Sequence, residues 1–424
     1  MKTKRLLVIS MICICGTTTW LLSTGTSTPH QPKAVLLDRS HSFIQYDLNK
    51  IDFYGDKMVW DGFFMKMNQL VFSGEGHVSI LHMGGSHVQA GTLTDRIREN
   101  FVTMVDGLEA ERGFIFPYKL AGTNSPSSIR TKFTGAWDGC RNALSTDHCF
   151  WGMSGINATT CDSVASFKIW CFNHDSLNYY NSHVRVFHSG DNYTIEPDSA
   201  IQVWTSKRRL DMGATDFYFA APVDTLSFNI YRNDSLPGCF VMQGIYLGEN
   251  RDGITYNTIG VNGAGTYSYL RCEMLDEQLP TINPDLVIFG IGVNDANVPE
   301  ENFDARKYEL RYDSLITQIK GVNPDVSFLF ITNNDTYYQK RYPNRNAMKV
   351  QEVMVKLAKK HSAGVYDLFD IMGGLGSIKE WQNAGLAQSD KVHLTRDGYR
   401  LQADMMYLAM REAFGNYLYR TTPK

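Results

Sequence analysis

The sequence predicts an α/β protein whose parallel sheet is covered on both sides and whose chain is interrupted by an inserted β-sandwich. Three observations predict it. Buried-strand segments alternate with helical segments on both sides of the middle third, as in a doubly covered parallel sheet. Between about 125 and 248 the helical period disappears and short alternating runs replace it, separated by turn clusters. At 424 residues the chain is too long for one small core.

The N-terminus reads as a targeting segment. Lys2, Lys4 and Arg5 precede the apolar run LLVISMICICG, followed by small residues around Ser23-Thr24-Gly25. Residues 1–25 are therefore expected to be a secretory signal peptide, with an uncleaved anchor as the alternative. Thr17 to Thr19 interrupt the run before it reaches the length of a membrane span. The expected location is the periplasm or cell envelope.

The first part of the α/β domain is placed at 26–124. Residues 59–72, VWDGFFMKMNQLVF, pattern as a helix that covers the sheet. Then HVSILHMGGSHVQAG, from His77 to Gly91, reads as a buried strand broken by Gly84-Gly85, a serine, and a helix start. A serine there stands at the carboxyl end of a central strand, where open α/β sheets place their ligands. Runs such as FKIWCF, HVRVFH, IQVWTS, DFYFAA and TLSFNIY then mark the sandwich. The α/β pattern is expected to return with FVMQGIYLG, and the second part of the domain to occupy 249–424. Its main features are the strand DLVIFGIGVNDAN, a helix around Tyr308 to Ile319, the strand DVSFLFITNND, a helix from Ala347 to His361, and a long closing helix after SDKVHLTRDGY.

A net charge of -3 and the lack of any basic stripe leave no footprint for nucleic acid. Of eight cysteines, Cys140, Cys149, Cys161, Cys171, Cys239 and Cys272 lie beyond the leader. Their spacing is not that of zinc ligands. Local disulfides pinning the loop-rich region are expected, with buried free thiols as the alternative. No metal or organic cofactor is implied.

The chemistry centres on Ser86. A serine hydroxyl needs a base to remove its proton, and the base needs a partner that fixes its tautomer. The tetrad DKVH supplies His393 as base and Asp390 as its orienter. An oxyanion hole needs donors aimed at the attacked carbonyl oxygen. The Ser86 N–H, Gly263 in VNGAG and the Asn294 amide in GVND are the candidates. Singly, each motif reads equally well as a turn, a loop or a helix cap.

Taken in order, these marks resemble the SGNH/GDSL hydrolase family: a serine in a GDS-type motif, a glycine, an asparagine in GxND and a histidine in DxxH. The resemblance covers most of 75–115 and 245–415 and implies a flavodoxin-like three-layer domain. One departure stands out, because Gly85 occupies the place of the family's aspartate. ILHMGGSHVQAG, ERGFIFPYKLAGTNSP and MGGLGSIKEWQNAGLAQSDKVHLTRDGY are further similar to exported bacterial members with an inserted sandwich, such as peptidoglycan O-acetylesterases. The implied activity is removal of acetyl or other short acyl groups from an extracytoplasmic glycan. An O-acyltransferase, a lipid or thioester acylhydrolase, and an inactive glycan-binding protein remain alternatives.

Other residues take plainer readings. His87 is expected to make a local structural hydrogen bond, His82 to be a satisfied core histidine, and Trp381 either to pack its loop or to stack on a sugar. The Asn-x-Ser/Thr sequences at Asn157, Asn192, Asn233 and Asn334 are short enough to arise by chance.

Overall fold

A computed structural model describes residues 35–105, 108–172, 179–233, 238–249 and 251–422. The expected signal peptide or anchor at 1–25 lies outside the described residues. Among the described residues no helix is long and apolar enough to cross a membrane.

The strands that alternate with helices in sequence assemble into one seven-stranded sheet. Its order is Ile51–Phe53, Gly364–Tyr366, Ser327–Ile331, Leu286–Gly290, His77–Gly84, Gly253–Gly260 and Ala110–Glu111. The Ile51–Phe53 edge strand runs antiparallel to its neighbour, and the other pairings are parallel. Each central strand feeds both faces, as a period of two requires. Val78, Ile80, Leu286, Ile288, Leu329 and Ile331 pack toward helices Asp61–Ser73, Thr92–Val102 and Arg396–Thr421. Leu81, Met83, Val287, Phe289, Phe328 and Phe330 face helices Ala305–Val322 and Asn346–His361. The result is the three-layer α/β arrangement that the sequence predicts.

Two antiparallel sheets interrupt it. One orders Tyr193–Pro197, Thr225–Arg232, Val164–Cys171 and Ile129–Thr134. The other orders Val203–Arg209, Ala214–Val223, Asn181–Ser189, Phe240–Tyr246, Ile156–Thr160 and Asp138–Arg141. Their inner faces meet through aromatic rings, with Phe228 5.3 Å from Phe167 in its own sheet and 5.1 Å from Phe217 in the other.

Two details differ from the expectation. Phe240–Tyr246, read as the return of α/β pattern, lies in an antiparallel sheet between Asn181–Ser189 and Ile156–Thr160. It is buried along nearly its whole length, so its mostly apolar sequence mimics a parallel strand. Phe114–Ile115, well before residue 125, also pairs with this strand.

The cysteines divide between both readings. Cys140–Cys149 is a local disulfide, whereas Cys161–Cys239 joins residues 78 positions apart, and Cys171 and Cys272 are buried free thiols. Cys161 follows the Ile156–Thr160 strand and Cys239 precedes Phe240–Tyr246, and these strands pair with Thr160 opposite Phe240. Strand pairing therefore brings distant cysteines together, which spacing alone does not disclose.

Candidate active site

The His77–Gly84 strand occupies the middle of the parallel sheet and ends at the Gly84-Gly85 pair. Ser86 then opens a short helix, Ser86–Gln89. At a helix start the first N–H groups lack intrahelical acceptors, so the Ser86 N–H is a donor at the sheet's carboxyl edge. The turn is fastened from several sides. Tyr269 Oη donates to the Gly84 carbonyl at 2.6 Å, and Tyr118 Oη donates to the Gly260 carbonyl on the neighbouring strand at 2.7 Å. Gln89 Oε1 accepts from the Asn262 N–H at 2.6 Å, which couples the serine helix to the VNGAG loop.

The far end of the chain reaches this turn. Ser86 Oγ lies 2.7 Å from His393 Nε2, and His393 Nδ1 lies 2.7 Å from Asp390 Oδ2. The other Asp390 oxygen accepts from the Val392 and His393 N–H groups at 2.9 and 3.0 Å. Burial alone would raise the Asp390 pKa. The hydrogen bonds from the His393 ring and backbone and from Val392 outweigh that and hold the carboxyl below its ordinary range. Asp390 is therefore ionised at neutral pH and acts as acceptor toward Nδ1, which directs Nε2 to Ser86 as the proton acceptor.

Between these two residues Lys391 adopts φ 57°, a left-handed conformation that costs a non-glycine residue roughly 1–2 kcal/mol. Contacts on either side hold it there. The Lys391 carbonyl accepts from Tyr337 N–H at 3.0 Å, and the Lys391 ammonium lies 4.4 Å from the Tyr337 ring centroid. Asn334 Nδ2 donates to the Val392 carbonyl at 2.8 Å, and Gln388 N–H donates to the His393 carbonyl at 2.8 Å.

The remaining candidates converge on Gly85. Asn294 Nδ2 donates to the Ala264 carbonyl at 2.9 Å, and a Cβ on Gly85 would fall 2.8 Å from that nitrogen and 3.4 Å from that carbonyl oxygen. One amide proton of Asn294 is thus committed, and the second is free to meet an oxyanion. Gly263 has φ +86°, a conformation that favours glycine. Its flanking N–H groups are used, Asn262 by Gln89 and Ala264 by the Val261 carbonyl. The Gly263 N–H has no acceptor among the described residues. Asp295, next to Asn294, accepts from Thr266 N–H and Oγ1, which ties the GVND turn to the segment following VNGAG.

All five predicted site residues therefore come from four separated stretches to one edge of the sheet. The sequence marks Asn334 only as a chance Asn-x-Thr motif and does not single out Asp335. They stand just past the Ser327–Ile331 strand, the same kind of position as GVND. Asp335 accepts from the Gly376 and Ile378 N–H groups at 3.0 and 2.9 Å. Of the other residues considered, Trp381 is fully buried with Nε1 on the Met372 carbonyl at 3.1 Å, so it packs the core and cannot stack on a sugar. His82 is half satisfied, with Nδ1 on Tyr256 Oη at 3.0 Å and Nε2 without a partner. Among the described residues no cluster of three or more His, Cys, Asp or Glu side chains is placed to hold a metal ion.

The inserted sandwich also touches this edge. Ala143, within the loop closed by the Cys140–Cys149 disulfide, would lie 3.5 Å from a Cβ on Gly263. Arg271 fastens that loop by donating to the Asn142 and Leu144 carbonyls at 2.8 and 2.9 Å, with its guanidinium 4.4 Å from the centroid of the Trp151 ring.

Comparison with known proteins agrees with this architecture. Residues 242–401 match the family model described as GDSL-like Lipase/Acylhydrolase family. A solved peptidoglycan O-acetylesterase superposes with a TM-score of 0.65 at 21% identity, covering 86% of this chain and 99% of that one. An acetyl xylan esterase structure is 26% identical over 37% of this chain and 82% of its own, with a TM-score of 0.30. No curated protein sequence matches the chain.

Proposed function

We propose that this chain, whose residues 242–401 match the GDSL-like Lipase/Acylhydrolase family model, is a serine esterase that removes O-acetyl or other short acyl groups from an extracytoplasmic glycan. The observation that carries the reading is the continuous relay from Ser86 Oγ through His393 to Asp390, with both links at 2.7 Å. A hydroxyl within hydrogen-bond reach of an imidazole that is itself oriented by a carboxylate is the arrangement acyl transfer needs.

In this reading Ser86 Oγ attacks the ester carbonyl while its proton passes to His393 Nε2. Asp390 steadies the imidazolium that forms. Negative charge on the former carbonyl oxygen is met by the Ser86 N–H, the Gly263 N–H and the second amide proton of Asn294. The tetrahedral intermediate collapses, the sugar oxygen leaves with the proton from His393, and an acyl-serine remains. Water then attacks the acyl-serine, giving its proton to His393. The second collapse releases the carboxylic acid and returns the proton to Ser86.

The glycan part of the reading is supported by a neighbour titled a peptidoglycan O-acetylesterase that shares the fold over nearly its whole length. The charged leader at Lys2, Lys4 and Arg5 supports action outside the cytoplasm. The test is acetate release from O-acetylated peptidoglycan and from acetylated xylan, comparing the mature protein with Ser86→Ala. Ser86-dependent release from peptidoglycan is expected. Cleavage of an aryl acetate without release from either polymer would keep the esterase and remove the glycan. Ser86-independent turnover would remove the mechanism.

A further inference from the structure

His87 follows the serine, and its side chain continues the site into the protein. Its ring centroid lies 5.1 Å from that of His393, with the planes tilted 32° apart, so the two imidazoles pack against each other. His87 Nδ1 is 2.8 Å from Tyr399 Oη. Tyr399 is buried in the first turn of the closing helix.

A phenol has one proton to donate. Tyr399 either gives that proton to His87 Nδ1 or accepts one from it, and in both cases the bond fixes the His87 ring. His87 Nε2 is buried and has no partner among the described residues. His82 Nε2, one strand position before Met83, is buried in the same condition. Both histidines line one cavity of about 30 Å³, whose other polar walls are Thr332, Asn333, Asn334 and Gln402. A space of this size with several polar partners suits one water.

We infer that His87 and Tyr399 are positioning residues for His393, and that a water in the cavity behind His87 bridges the Nε2 atoms of His87 and His82. The relay bonds hold two edges of the His393 ring but leave its face to be set by packing. The His87 side chain packs against that ring, and its hydrogen bond to Tyr399 fixes it there. Burial first, and the neighbouring His393 second, push the His87 pKa down to about 3, against the opposing pull of Asp390. His87 thus stays neutral and does not set a second positive charge against the imidazolium.

The inference rests on the serine-esterase reading, and one assay separates the two. His87→Phe keeps the ring volume without the polar atoms, Tyr399→Phe removes only the hydroxyl, and His87→Gln restores an amide that can hydrogen-bond Tyr399 and the cavity. With 4-nitrophenyl acetate, both Phe variants are expected to lower kcat about tenfold with KM within about twofold, and His87→Gln to recover to within about threefold of the parent. Unchanged kcat in both Phe variants would overturn the inference. So would a Gln variant as slow as His87→Phe, or losses that follow a lowered Tm. A crystal structure of the parent protein is expected to show water within hydrogen-bond distance of both Nε2 atoms, and an empty or apolar-filled cavity would overturn that part. If Ser86→Ala still turned over in this assay, the esterase reading itself would fail. An inactive Ser86→Ala beside fully active Phe variants would sink only the role of His87 and Tyr399.

Discussion

The amide nitrogen of Asn294 lies 2.8 Å from the point where any side chain on Gly85 would have to begin. The two residues share one space, and that nitrogen is held in place by the Ala264 carbonyl at 2.9 Å. This gives a physical reason for glycine where the resembled family carries aspartate. Gly85→Ala is expected to displace the amide and lower kcat by at least about tenfold. Asn294→Ala, which deletes the donor outright, is expected to cost about 10²–10³-fold. Steady-state kinetics on an aryl acetate checks both, and a Gly85→Ala enzyme at parental rate would remove the steric account.

Asp390→Asn retains an oxygen for the Val392 and His393 N–H groups but replaces the charged acceptor of His393 Nδ1. The wrong tautomer of His393 is then favoured, and kcat is expected to fall about 10⁴-fold with the fold intact. Circular dichroism and kinetics on the same preparation test this. A loss under tenfold would show that Asp390 is not the orienter.

Arg271 ties the Cys140–Cys149 loop to the segment that follows Gly263. Arg271→Met keeps the stem over Trp151 and removes the donors. Loosening a wall beside the oxyanion loop is expected to raise KM on polymeric substrate several-fold, about 1 kcal/mol of binding, while aryl acetate kinetics change little. Equal effects on both substrates would place Arg271 in general stability.

Asp335 supplies the pH test. Burial raises its pKa to about 6 from 3.8, although the backbone N–H groups of Ile378, Gly376 and Thr336 oppose this. Between those values the folded carboxyl holds a proton that the unfolded one has lost, so stability falls as pH rises from about 4 to 6 and stays reduced above. Tm is expected to increase when pH is lowered from 7 to 5, and Asp335→Asn is expected to flatten that slope. A parent protein with no slope in this window would refute the assignment.

Much of the site was legible because its chemistry is carried by short motifs at strand ends. Ser86, Gly263, Asn294, Asp390 and His393 each follow a recognisable break in hydrophobic period or sit in a spaced tetrad. Asn334 and Asp335 were not picked out as site residues, because a polar loop after a strand looks the same whether it merely turns or anchors a neighbour. His87, expected to make a local hydrogen bond, makes a long-range one instead. Its partner Tyr399, 312 residues away, leaves no trace in local spacing.

The sequence by itself determined the α/β class, the antiparallel insertion and the residue types of the relay, since periodicity and motif order depend on neighbours along the chain. Only the tertiary structure decided which residues meet. Pairing Thr160 with Phe240 brings Cys161 toward Cys239, and Phe240–Tyr246 becomes an antiparallel strand although its apolar run suits either kind. Gly85 against Asn294, and His87 between His393 and Tyr399, are likewise contacts between stretches far apart in the chain. Local propensity is silent about such contacts, because their energy comes from packing and hydrogen bonds that exist only once the sheet has brought its carboxyl ends together.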